Sequence, residues 1–178
     1  MLGAGRIRCV VLIASLLVVC RPVSSAMEQG EIDRRMKIEF DGRDWEVGFT
    51  ASQRGAHLVE WVLAGENVHC WSELVSWQYF EGWHGHESPK ELMRQLRHRR
   101  MVRTPSVEWQ ILSEGFDSVL FTWEIDSDPL IGSYYELTRI IKTHDGLHIL
   151  HYAARNRRTF STHLDSWVES FGTFEISR

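Results

Sequence analysis

His84-Gly85-His86-Glu87 is the stretch of this sequence with ligand-like spacing. Two imidazoles one residue apart can share a metal ion in an extended loop, with Glu87 adding a carboxylate oxygen. Zinc, copper and nickel suit such a set. Three side chains leave the coordination shell incomplete, so a further ligand would come from elsewhere in the chain, His148 and His151 being candidates. The plainer role of the same residues is a solvated loop leading into a helix, the commoner one where the shell is incomplete. No other cofactor is implied.

The remaining reactive residue types are present without an organising pattern. His69-Cys70 pairs an imidazole with a thiol, but neighbours on a strand point to opposite faces, so Cys70 is expected as a small buried apolar residue. Ser72, Ser76, Asp117, Asp126 and Asp128 supply hydrolase residue types, yet neither G-x-S-x-G nor H-E-x-x-H frames them. Glu124 and Asp126 share one strand face, where carboxylates belong if that face is wet. No catalytic residue is assigned. The run Arg94 to Arg103 (RQLRHRRMVR) could grip phosphate or an acidic protein surface, although charge at a helix C-terminus more often serves the helix dipole and solubility.

The elements that must hold these residues follow from periodicity. Short alternating or apolar runs predict strands at Met36 to Phe40, Asp44 to Thr50, His57 to Leu63 and Leu74 to Phe80, with turns at Asp41-Gly42, Ser52 to Gly55 and Ala64-Gly65-Glu66. Ser88-Pro89-Lys90-Glu91 then starts a helix. Ser88 can cap, Pro89 suits the first turn, and Glu91 can bond back to the cap amide. Leu92, Met93 and Leu96 would line its buried side, and Thr104-Pro105 ends it. Four more strands are predicted at Val107 to Ser113, Ser118 to Asp126, Tyr134 to Thr143 and Leu147 to Arg155. In the second of these, Val119, Phe121, Trp123 and Ile125 make an apolar face opposite a mostly wet one. Phe160, Leu164, Trp167, Val168 and Phe171 recur at helical spacing and predict a final amphipathic helix over Thr159 to Phe174.

The N-terminus reads as an export signal. Arg6 and Arg8 precede twelve apolar and small residues, Cys9 to Cys20, a length that fits a signal core and falls short of the roughly 20 that a membrane span needs. Ser24 and Ala26 provide the small side chains that precede a cut. Val19 occupies the position where a lipoprotein signal wants Gly, Ala or Ser, which disfavours an anchor at Cys20. The expected organisation is therefore a signal peptide over 1–26, a polar leader over 27–35 and one domain over 36–178, with no transmembrane helix once the signal is removed. The first 26 residues hold three arginines and no acid, so residues 27–178 carry 17 basic against 24 acidic side chains, a net −7 compared with −4 for the whole chain. That sign argues against a nucleic-acid partner. Only Cys70 stays, so the domain must be held by packing, and all eight Trp belong to it.

Strands, helix, four-stranded meander and helix predict an α+β fold, an antiparallel sheet meander with two helices packed against it. This layout, the WSELVSWQYF segment before the capped helix and the terminal amphipathic helix ending in ESF resemble the Mog1/PsbP-like sandwich, including exported bacterial domains. The resemblance spans most of Met36 to Phe174. It implies binding and accessory roles rather than one chemistry, and supplies no catalytic set to carry over.

The expected function is that of a non-enzymatic binding or accessory protein of the periplasm or exterior, with another envelope protein as partner; an immunity-type inhibitor is one version. The alternatives are a metal-binding protein or metal-dependent enzyme using His84, His86 and Glu87, and a small-ligand module on the sheet face with Trp77, Tyr79 and Trp123. N-terminal sequencing of the exported protein should begin at Met27. A chain starting at residue 1, or lipid on Cys20, would refute the export reading.

Overall fold

The computed structural model describes residues 40–83, 87–129 and 131–174. The expected signal, leader and most of the first predicted strand lie outside these residues, as do His84 and His86. Seven strands are present among the described residues: β1 (Trp45–Gln53), β2 (Ala56–Leu63), β3 (Glu73–Glu81), β4 (Glu108–Glu114), β5 (Ser118–Ile125), β6 (Tyr134–Lys142) and β7 (Gly146–Ala154). Helix α1 (Pro89–Arg103) comes after β3, and α2 (Arg157–Thr173) comes after β7. The α+β class is as expected.

All strand pairs are antiparallel in one sheet of order β1-β2-β3-β7-β6-β5-β4. Two meanders thus meet at the β3–β7 seam, and α1 spans the connection between them. Gly146 lies in that seam, where a Cβ would come within 2.3 Å of the Phe80 carbonyl oxygen. Only glycine lets the strands approach this closely. At the β1–β2 hairpin, Arg54 and Gly55 both have positive φ, 50° and 77°, as a two-residue turn of matching twist requires. The predicted four-residue turn is too wide, because Ser52 and Gln53 pair with His57 and Ala56.

The helices lie on opposite faces. On the α2 face, Phe160, Trp167 and Phe171 pack against Trp61, Val75, Trp77, Leu137, Leu150 and Tyr152. Trp167 is fully buried and stacks on Tyr152 at 5.0 Å between ring centroids, while Phe40 and Trp45 meet it edge-on. Phe40 is therefore an aromatic lid rather than the end of a strand. Arg43 ties this approach to the sheet by a bidentate pair with Glu73, 2.5 and 2.8 Å, and Glu73 also accepts from the Tyr152 hydroxyl at 2.6 Å. On the α1 face, Leu92 and Met93 pack with Trp71, Phe121, Trp123, Ile125 and Ile140.

Helix α1 forms as its sequence dictates, with the full Ser88–Glu91 capping box and Pro89 in the first turn. Leu96 is half-buried at its margin. Helix α2 starts two residues before the predicted position, because Asn156 caps it by accepting from the Thr159 amide. The predicted wet face of β5 needs a larger correction. Leu120 and Thr122 are buried on the α2 side, and only Glu124 and Asp126 reach water.

Trp167→Ala removes the ring on which the α2 face is assembled. Urea and thermal unfolding should show a loss of about 3–5 kcal/mol and a fall in Tm of roughly 10–15 °C. Phe116→Ser, at a turn position 93% exposed, should stay within about 0.5 kcal/mol of the wild type.

Candidate functional site

The register aligns one residue from every strand in a straight row on the α1 face: Phe49, Glu60, Ser76, His151, Thr138, Phe121 and Ile111. Directly paired residues point to the same face and their side chains meet. The two edge members are large apolar residues, partly exposed, and the four on β2, β3, β7 and β6 are polar. Glu60, Ser76, His151 and Thr138 are all buried, none more than 3% exposed.

One end of the polar stretch is saturated with hydrogen bonds. Glu136, one pleat along β6 from Thr138, accepts through Oε1 from Trp123 Nε1 at 2.8 Å and from Thr138 Oγ1 at 2.6 Å, with His151 Nδ1 at 2.9 Å. Its Oε2 accepts from the Tyr134 hydroxyl at 2.7 Å. Burial alone would raise its pKa, but His151, Arg100 and the Thr138 bond outweigh that and hold it well below the usual carboxylate range. With Nδ1 turned to Glu136, the other ring nitrogen of His151 faces the Gln78 amide at 3.5 Å. Arg100 reaches in from α1 and lies over the Trp123 ring, 4.0 Å from its centroid.

The other end is not saturated. Neither Glu60 Oε1 nor Ser76 Oγ has a hydrogen-bond partner among the described residues, although both atoms are buried. Burial pushes the Glu60 carboxyl up to about 7. Ser76, His151 and Glu136 thus gather the residue types of nucleophile, base and orienting acid. Ser76 donates no bond to His151, however, and is completely buried, so the link that would activate a nucleophile is missing. What the row does chemically is hold charge and offer hydrogen bonds.

The residues singled out in the sequence are dispersed. His84 and His86 are outside the described residues, while Glu87 accepts from the Gln95 side-chain amide at 3.2 Å. His148 and His151 sit on opposite faces of β7, so they cannot join one site: His148 accepts from Trp77 Nε1 and stacks on Tyr79 on the α2 side. Among the described residues no group of three metal-ligating side chains is present. Cys70 is exposed rather than buried, because His69 and Cys70 belong to a turn in which Asn67 Oδ1 accepts from both their amides. Glu124 and Asp126 are joined by Arg157, at 3.0 and 3.1 Å, into an ion cluster with Glu108 at 3.8 Å. Trp77 and Tyr79 lie on the α2 face and Trp123 on the α1 face, all buried, so the three rings make no common platform.

The expected basic run behaves differently. Arg94, Arg97, His98, Arg99 and Arg103 are exposed along α1, and Met101 and Val102 are exposed beside them. None of these arginines makes an ion pair among the described residues. Lys90 pairs with Glu114 at the start of the helix. Lys90, Arg94, Arg97 and Met101, spaced at i, i+4, i+7 and i+11, share one outward stripe.

Comparison of the chain with known protein families, with curated proteins and with solved structures finds no match.

Glu60 generates a pH dependence of defined sign. Its carboxyl ionises near 4.5 when unfolded and near 7 when folded. Its contribution to stability is therefore present below pH 4.5, declines as the pH rises from 4.5 to 7, and is flat beyond, a total of about 3 kcal/mol. Urea titrations at pH 5 and pH 8 should show Glu60→Gln more stable than wild type at pH 8, with the gap closing by pH 5. Equal wild-type and variant profiles would show that Glu60 does not titrate in this way.

Proposed function

We propose that this chain is a non-enzymatic exported protein that binds a partner protein outside the cytoplasm, through the exposed basic stripe of α1. The observation that carries the reading is that cluster of arginines, without ion pairs among the described residues, on a chain whose net charge is −4. Exposed charge of one sign beside exposed apolar Met101 and Val102 suits an acidic protein surface with an apolar patch, since the charges steer encounter and the apolar atoms supply burial. Nucleic acid is disfavoured by the acidic remainder of the chain. An immunity-type inhibitor, which blocks an enzyme by covering it, is one form of this role. A Mog1/PsbP-like sandwich is the proposed fold relationship, supported by the antiparallel sheet and two helices.

The test uses the whole exported protein as bait in an envelope extract, alongside the double variant Arg94→Glu, Arg97→Glu. A partner should be retained by the wild type at about 50 mM salt, weakened at about 500 mM, where the screening length falls to a few ångströms, and lost by the variant while its Tm is unchanged. A partner retained equally by both proteins would remove α1 from the interface. Wild type that retains none would remove the binding role.

A further inference from the structure

The polar stretch of the row ends, on its β1 side, in a carboxylate oxygen and a hydroxyl with nothing to bond among the described residues. Glu60 and Ser76 are directly opposite each other on β2 and β3. They are 3% and 0% exposed, and Glu60 Oε1 and Ser76 Oγ are both unpartnered. Folded proteins rarely leave buried polar atoms unbonded, because each such atom costs about 1–3 kcal/mol, more when charged. The four bonds accepted by Glu136 on the same face show that this sheet can satisfy a buried carboxylate from within. At Glu60 it does not.

The geometry points to a binding site for a small primary alkylammonium ion, with Glu60 and Ser76 as its polar anchor. The chemistry of the two atoms selects this class. Glu60 Oε1 can only accept when ionised, so the ligand must donate, and a ligand bearing positive charge offsets the burial of the carboxylate. An ammonium has three donors and no acceptor. It can serve Glu60 Oε1 and Ser76 Oγ together, since residues paired across strands hold their Cβ atoms about 5 Å apart. A ligand offering only acceptors leaves Glu60 unsatisfied.

The surroundings fit the remainder of such a molecule. Next to Glu60 on edge strand β1 is Phe49, 41% exposed, an apolar side chain against which the alkyl part of such a ligand can lie. The β1 register slips between Val47 and Phe49. Gly48, in that bulge, has no room for a Cβ, which would lie 2.8 Å from Val68 Cγ1 of the β2–β3 connection. Helix α1 packs over β5 and β6 at the far side of the sheet, away from this end of the row. The site is independent of the basic stripe on α1, so neither reading stands or falls with the other.

n-Propylammonium chloride is the probe, with potassium chloride at equal concentration as the control, followed by thermal unfolding and isothermal calorimetry at pH 8. The expected result is a rise in Tm with the amine and not with potassium, saturating with one site per chain. Glu60→Gln, a neutral isostere expected to fold, should abolish it, Ser76→Ala should weaken binding about tenfold, and Glu46→Gln, on exposed β1, should leave it unchanged. The proposal is overturned if the wild type shows no rise with the amine, if potassium gives the same rise, or if Glu60→Gln binds as the wild type does.

Discussion

The carboxylate of Glu136 sets the terms for half of this molecule. Taking an ionised group out of water costs several kcal/mol unless its oxygens are bonded, and here Trp123 on β5, Tyr134 and Thr138 on β6 and His151 on β7 supply four contacts of 2.6–2.9 Å. Three neighbouring strands are thereby held in one register, since a slip of a single residue between them would put Glu136 on the opposite face from Trp123 or His151. Arg100 extends the same arrangement to α1 by lying over the Trp123 ring. The helix is therefore placed by electrostatics as well as by Leu92 and Met93.

The two faces of the sheet solve different problems. The α2 face is an aromatic core, Trp61, Trp77, Tyr152, Phe160, Trp167 and Phe171, with a bidentate ion pair, Arg43 to Glu73, placed at the margin where Arg43 remains partly exposed. Stability resides there, in dispersion and buried area. The α1 face mixes Phe121, Trp123 and Ile149 with a polar row that apolar residues of the same size would pack more favourably. A sequence that keeps glutamate, serine, histidine and threonine in those places gives up stability to retain hydrogen-bonding groups in a dry setting, the usual mark of a site rather than of a scaffold.

Much of the scaffold is legible in the sequence because its signals are local. The capping box at Ser88, the Pro89 start and the Thr104 stop of α1 depend on contiguous residues, and the apolar spacing of Phe160, Trp167 and Phe171 marks α2 unaided. The row is not legible, because it is assembled from four strands of which the middle pair, β3 and β7, are far apart in sequence. Glu60 in HLVEWVL, Ser76 in LVSWQYF and His151 in LHILHYA each break an apolar run, and that break is the available signal. Joining them requires the β3–β7 seam, which no local pattern specifies. Cys70 fails for the opposite reason: a short apolar-looking segment suggests a strand, whereas Asn67 bonds two amides and folds it into a turn.

The polar row and the basic stripe also differ in what they can contribute. The arginines of α1 stand in water, where each charge is worth little alone and acts mainly by raising the rate of encounter with an acidic surface. Glu60 is buried, 3% exposed, so a single charge there carries more energy than one in water and is correspondingly selective about what neutralises it. A surface of the first kind tolerates many partners and loses its grip with salt. A buried carboxylate of the second kind discriminates by chemistry, because a group without a proton to donate cannot satisfy Oε1. If both operate, the stripe decides what the protein docks against, and the row decides which small cation is present when it does.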